Sequence, residues 1–262
     1  MKRRHLSLAL AAAALAPFGH AASARRNDPL RVGIDQLLVR SGVGARIERG
    51  FFAHSGLALH WVPSASAGLL DALEAGELDA SVTLAPDIEA RLEQQGLAHD
   101  RHAVAQVEFL IAGPVQGKAG DPAKLRGTSD ASAALALLAA GSIPFLGHSG
   151  GSGAHLLEQS LWRAARVAPA APWFRPMQPA ESDELALAAR ERRYVLTDRT
   201  RWAAGGAPGM AALVQGDPRL QLNAQVLRAF RRQHPSGKLF VTWLAGPRGQ
   251  AAIAGPGVRA AL

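Results

Sequence analysis

The chain has 262 residues, 48% of them hydrophobic, with 27 Gly, 16 Pro and no Cys, enough for one large domain or two lobes of roughly 100 residues each. Without cysteine there is no disulfide, no thiolate metal site and no cysteine nucleophile. The formal charge is +8, but the arginines are scattered and aromatic residues are few. No basic stripe interleaved with aromatics marks a nucleic-acid surface, and the mild positive field favours anions in general.

The N-terminus opens with Lys2, Arg3 and Arg4, then an apolar run over 6–16, then Ala22-Ser23-Ala24. That order predicts a secretory signal peptide over residues 1–24, with Gly19-His20-Ala21 as a second cleavage choice. The alternative is a buried N-terminal helix; the apolar run is too short to span a bilayer. No Cys follows to carry a lipid, and Arg3-Arg4 leaves the twin-arginine route open. Losing three cations would take the charge from +8 to +5. A soluble, periplasmic chain is expected.

Next comes a strand over 30–34. Val43, Ile47 and Phe51 at i, i+4, i+8 predict a helix over 41–52. A strand is expected over 57–62. Ser66 stands where an N-cap would be, before Leu69, Leu70 and Leu73, and Gly76 ends that helix. A strand over 80–84 leads to Pro86-Asp87, which open a helix towards Gln95. The apolar run 104–112 is stopped by Gly113-Pro114. Further on, the pattern predicts a helix over 131–140, a strand over 143–146, and helices over 153–166 and 181–192. A strand over 194–196, another over 220–227, a helix over 238–244 behind Ser236, and a last helix over 248–254 behind Pro247 complete it. Strands alternating with helices at this spacing indicate βαβ units and a parallel sheet.

Gly147-His148-Ser149-Gly150-Gly151 matches G-x-S-x-G, the pattern of a serine nucleophile on a strand–turn–helix. Asp198 and His234 follow in the order a hydrolase would need. The upstream His-Gly signature of an oxyanion hole is missing, and Pro144 interrupts what should be a central strand. A second reading uses the whole segment 149–153. Glycines fold the backbone closely, and free N–H groups at a helix start gather around an anion without any catalytic group. A plain turn in which Ser152 caps the helix is the third. His99-x-x-His102 has a spacing that could hold a metal but falls in an expected surface loop. Trp162 and Trp243 are expected in the core, Trp61 and Trp173 in core or cleft, and Arg231-Arg232 on a solvated face.

Several segments in order resemble the tungstate-binding proteins of bacterial tungstate ABC importers. They are Ser41-Gly42, Ala65-Ser66-Ala67, Gly76-Glu77-Leu78-Asp79 through Ala85-Pro86, and Glu108-Phe109 through Gly113-Pro114. Ser152-Gly153 with His155, Leu161-Trp162-Arg163-Ala164-Ala165, Trp173-Phe174 and Tyr194 through Arg199 continue it. Gly216-Asp217-Pro218, His234-Pro235 and Gly249-Gln250-Ala251-Ala252-Ile253 complete it. The resemblance implies a type II periplasmic-binding-protein fold, with two Rossmann-like lobes around a hinge and central cleft. Lobe 1 would be 30–112 plus 215–262 and lobe 2 would be 113–214, with crossings near Ala112-Gly113 and 206–216. It further implies no catalysis and no cofactor or metal. A small-molecule or oxyanion ligand, a membrane ABC permease as partner, and a monomer are expected. His155, Asp198 and His234 would then be structural.

The departures from that family fall at the ligand. Its first Thr/Ser-rich loop is replaced by Ile34-Asp35-Gln36-Leu37-Leu38, its loop arginine by His148, and a threonine by Ala154. Asp35 in a wet site would repel a dianion by roughly 1–4 kcal/mol at about 4 Å. The residues expected to line the ligand are Asp35, Ser41, Ser66, His148, Ser149, Ser152 and Gly153. Tungstate, molybdate and other small solutes, or delivery to a sensor protein, all stay open.

Overall fold

The computed structural model describes residues 28–115, 120–232, 234–255 and 257–261. The signal peptide predicted at 1–24 lies outside these. The first half runs β1 (Leu30–Asp35), α1 (Gln36–Arg40), α2 (Val43–Ser55), β2 (Leu59–Ser64), α3 (Ser66–Ala75), β3 (Ala80–Thr83) and α4 (Pro86–Gln94). A long strand, β4 (Ala98–Pro114), leads into the second half. There follow α5 (Ala131–Ala140), β5 (Phe145–Gly147), α6 (Gly153–Ala164), β6 (Phe174–Pro176), α7 (Glu184–Glu191), β7 (Tyr194–Asp198), α8 (Arg199–Ala203) and β8 (Met210–Val214). The chain then returns through a 3-10 turn (Pro218–Leu220) to β9 (Gln221–Ala229), α9 (Gly237–Ala245), α10 (Pro247–Ile253) and β10 (Val258–Ala260).

The strand order is β2-β1-β3-β9-β4-β7-β5-β6, with β8 and β10 also paired to β4. β1 lies parallel to β2 and β3, and β5 parallel to β6 and β7, as the alternating pattern required. Among the described strands, β4 is the one common to both halves. Its residues 98–108 pair with β9, and its residues 109–112 pair with β7. The sheet therefore changes partners between Glu108 and Phe109 while the strand itself runs on.

The helices form for local reasons. Val43, Ile47 and Phe51 make the buried stripe of α2, which ends at Gly56 with φ +70°. Leu69, Leu70 and Leu73 do the same for α3, which ends at Gly76 with φ +80°. Pro86 sits in the first turn of α4, where no amide is needed. Asp130 and Asp183 cap α5 and α7. In the core Phe51 meets Phe240 edge-on at 5.2 Å and Trp243 at 5.3 Å, and Phe145 meets Trp162 at 5.2 Å. The largest buried apolar cluster draws on both halves, so they touch through oil as well as through polar loops.

The structure differs from the predicted elements at definite points. The helix expected over 41–52 is α2, Val43–Ser55, which starts two residues later because Gly42 turns with φ +73° and separates it from the short helix α1. The strand expected at 57–62 is displaced to Leu59–Ser64. β4 starts at Ala98, so His99 and His102 stand on a strand and not in a loop. The His99 ring lies against Phe230, 5.4 Å between centroids. The strands β6, β8 and β10 and the helices α1 and α8 are additional to the predicted elements. Trp162 and Trp243 are buried, and Trp61 and Trp173 pack half-buried on the core.

Candidate functional site

A cleft of about 640 Å³ opens where the end of β1 with α1, the turn before α3, the loop after β5 and the loop before α7 converge. Asp35, Arg40 and Ser64 face it from the first half. His148, Ser149, Ser152, Glu181 and Glu184 face it from the second. Carboxyl ends of parallel strands are where an open α/β sheet leaves room for a ligand.

Asp35 is the last residue of β1 and the N-cap of α1. Its side chain is only 1% exposed. One carboxylate oxygen accepts the Leu37 amide at 2.9 Å, the ordinary capping bond. The other accepts the Ser66 hydroxyl at 2.5 Å and the Gly153 amide at 3.2 Å. These two donors lie 31 and 118 residues away along the chain, one at the start of α3 and one at the start of α6. The Ser66 hydroxyl in turn accepts the Leu84 amide at 2.9 Å. A buried carboxylate is tolerable only with such donors, and charge-assisted bonds are about twice as strong as neutral ones.

The glycine loop is shaped by what it presses on. Gly150 and Gly151 take φ +76° and +74°, a region that suits glycine. A Cβ at Gly151 would stand 2.8 Å from the Ala67 Cβ, and one at Gly153 would stand 2.4 Å from the Leu84 Cβ. The Gly151 carbonyl accepts the Ala67 amide at 3.0 Å. The loop thus docks against the first half with its backbone. His155 Nδ1 accepts the Gly151 amide at 3.0 Å, and the Ser152 hydroxyl caps α6 by accepting the His155 amide at 3.2 Å. Burial lowers the His155 imidazole pKa, with His148 adding to the effect.

Beneath the loop, Glu158 on α6 accepts the His148 amide at 2.9 Å and the Trp162 indole N–H at 3.2 Å. Burial pushes its carboxyl up to about 7, partly offset by His148 and these two bonds. His148 Nε2 lies 2.7 Å from the Leu196 carbonyl, which can only accept, so that nitrogen carries the proton. Glu158 carried no motif and sequence reasoning passed over it. Arg40, Glu181 and Glu184 were passed over too, although Asp183 before Glu184 was a visible capping signal.

Of the seven residues predicted to line a ligand, Asp35, His148, Ser149 and Ser152 face the cleft. Ser66 is fully buried and its hydroxyl is engaged by Asp35 and Leu84. It is the first residue of α3, where Ala65 takes the N-cap position expected of Ser66. Gly153 is buried and its amide is turned to Asp35. Ser41 donates to the Leu38 carbonyl at 3.1 Å at the end of α1, and is not among the residues around the cleft. The hydrolase arrangement is not assembled. The Ser149 hydroxyl donates to the Met177 carbonyl at 2.8 Å. Asp198 caps α8 through the Arg201 amide. Both ring nitrogens of His234 are engaged elsewhere, with the Asp28 carbonyl and the Ser236 amide.

Two α/β halves sharing one strand, with a polar cleft at the strand ends, make this a type II periplasmic-binding-protein fold. Within that class the chain resembles tungstate-binding proteins of ABC transporters. It matches the tungstate ABC transporter protein of Geobacter sulfurreducens with a TM-score of 0.72 and 24% identity, over 86% of this chain and 97% of that one. It matches the tungstate-binding protein of Desulfovibrio alaskensis with a TM-score of 0.69 and 25% identity, over 85% and 92%. A Haloferax volcanii protein named for anion binding in an ABC transporter is 31% identical over 124 residues, 47% of this chain. The chain spans only about a third (35%) of that relative's length. No family model matches.

Proposed function

We propose that this chain is the solute-receiving protein of an ABC-type importer, in the class that takes up oxyanions such as tungstate and molybdate. The observation that carries this reading is the cleft between two halves that share strand β4, with helix starts from both halves turned into it. In this reading lobe 1 comprises 30–112 and 215–262, and lobe 2 comprises 113–214. The lobes close over a solute, and a membrane permease takes it on. The chain works as an exported, periplasmic monomer. No described helix is long and apolar enough to cross a membrane. Its role is binding and not catalysis, which fits a Ser149 hydroxyl that donates to the Met177 carbonyl.

A second reading, a receptor for a different small polar solute, is favoured by one observation. Asp35, Glu181 and Glu184 all stand on the cleft wall. Thermal-shift and calorimetric titrations with tungstate, molybdate, sulfate, phosphate and small organic acids test both. At least one is expected to raise the melting temperature, because a ligand at 100 times its Kd stabilises the folded state by about 2.7 kcal/mol. Arg40→Ala should weaken the response to an anion. A response to organic solutes alone selects the second reading, and silence across the series removes the receptor reading.

A further inference from the structure

A carboxylate is itself a small oxyanion. Asp35 places one where the Ser66 hydroxyl, the Gly153 amide and the Leu37 amide meet. The first and last of these donors belong to one half of the molecule and the Gly153 amide belongs to the other. Beside them the Ala67 amide reaches across to the Gly151 carbonyl at 3.0 Å. Nothing about the capping of α1 requires the two distant donors, because a capping Asp needs only the local amide. We infer that the Asp35 side chain is a tethered occupant of the cleft's anion seat: it makes, from within the chain, the contacts by which a free oxyanion would join the two halves. The inference deepens the receptor reading and rests on it.

Two consequences follow from the tether. The halves close on each other with no solute bound, because the group that bridges them never leaves the chain. A free oxyanion reaches these donors only by expelling a competitor whose effective concentration is on the order of millimolar even for a flexible tether. The same geometry leaves the rest of the cleft, which is far larger than the carboxylate, for whatever else the protein receives. Asp35 is thereby a specificity-determining residue, setting oxyanions against other solutes.

Asp35→Ala empties the seat onto the open cleft without demanding a new backbone shape. Thermal shift and calorimetry with formate and with molybdate, on this variant and on the wild-type protein, test the inference. Asp35→Ala is expected to bind either anion at least tenfold more tightly than the wild-type protein does, and formate should restore part of its lost melting temperature. Asp35→Asn fills the seat with a neutral group of the same shape and should show no formate rescue. Equal anion response in Asp35→Ala and wild-type protein overturns the inference, as does rescue of Asp35→Asn.

Should Asp35→Ala not fold, X-ray scattering on the dialysed wild-type chain decides. A radius of gyration equal to that of the closed structure, unchanged by added molybdate, supports a self-closed cleft. A larger radius that contracts with molybdate overturns it. The two readings fail separately. Wild-type protein that binds a solute while Asp35→Ala gains no anion leaves the receptor and removes the tethered occupant. A rescued Asp35→Ala beside a wild-type protein that binds nothing does the reverse.

Discussion

Asp35 and Asp198 occupy matching places in the two halves. Each ends a strand, each is buried, and each caps a helix of five residues. Around Asp35 the fold gathers two further donors, Ser66 and Gly153. Around Asp198 it places Glu184, and burial together with that like charge raises the carboxyl pKa against the Arg201 and Thr200 amides and Arg40. The capping bond is the same, so the difference between a seated anion and a crowded one comes from residues distant in the chain. Local sequence decides that an Asp stands there; the opposing loop decides what it does.

The sharpest way to break this comparison is Asp35→Ala. It leaves a buried hydroxyl and amide without their acceptor, so a loss of about 3–5 kcal/mol is expected in urea denaturation. A loss below about 1 kcal/mol would put Asp35 on a par with an ordinary helix cap.

Titration gives the next largest effect. Burial raises Glu89 and Glu158 each to about 7, above the usual 4.5 of a glutamate. A raised folded-state pKa means that the native state binds the proton more tightly. Stability is therefore full below about pH 4.5 and falls as pH climbs through 7, by roughly 3 kcal/mol for each such group at most. Glu89 offers the cleaner variant. One of its oxygens accepts the Thr83 hydroxyl and the Ala85 amide, and the other has no hydrogen-bond partner. Glu89→Gln keeps the accepting oxygen, so it should flatten part of the decline between about pH 4.5 and 7. An unchanged slope in melting temperature against pH would show that Glu89 is ionised throughout. Asp35 is also among the charges that raise Glu89, so Asp35→Asn should move the midpoint of that decline downward in pH.

Gly153→Ala asks what the loop's backbone contact is worth. Its methyl group would collide with the Leu84 Cβ, which cannot swing aside, so a cost of about 1–3 kcal/mol is expected. The contact joins the two halves, so the variant should also scatter X-rays as a larger particle; unchanged dimensions and stability would show that the loop is not pressed against Leu84. The smallest effect belongs to Asp198→Asn. Asn caps a helix as well as Asp does, and the change removes repulsion from Glu184, so stability should stay within about 1 kcal/mol or rise. A loss as large as that of Asp35→Ala would erase the contrast between the two halves.

Much of the fold was legible in the chain. The stripes Val43–Ile47–Phe51 and Leu69–Leu70–Leu73, the stop at Gly76 and the Pro86 start each act over a few residues, whereas Gly113-Pro114 does not stop β4 but pairs with β8 at its end. The short strands β6, β8 and β10 hold three to five residues, too few for periodicity to show. They exist because a neighbouring strand offers them a ladder. Helix α1 could have been found from Asp35 followed by Gln36-Leu37-Leu38, a cap before good helix formers. The cleft was legible in part: Asp35, His148, Ser149 and Ser152 do face it. That Ser66 would serve Asp35 and not a solute was not legible, because their pairing spans the β1–α3 distance and depends on how α3 is rotated.

β4 carries a last consequence. Its backbone crosses from one group of strand partners to the other without a break, so a rotation of the halves twists one ribbon and leaves each ladder whole. In hydrogen–deuterium exchange, the β4 amides on either side of Glu108–Phe109 should therefore stay protected through repeated opening. The Ala67 and Gly153 amides, whose acceptors part when the cleft gapes, should trade their hydrogens first.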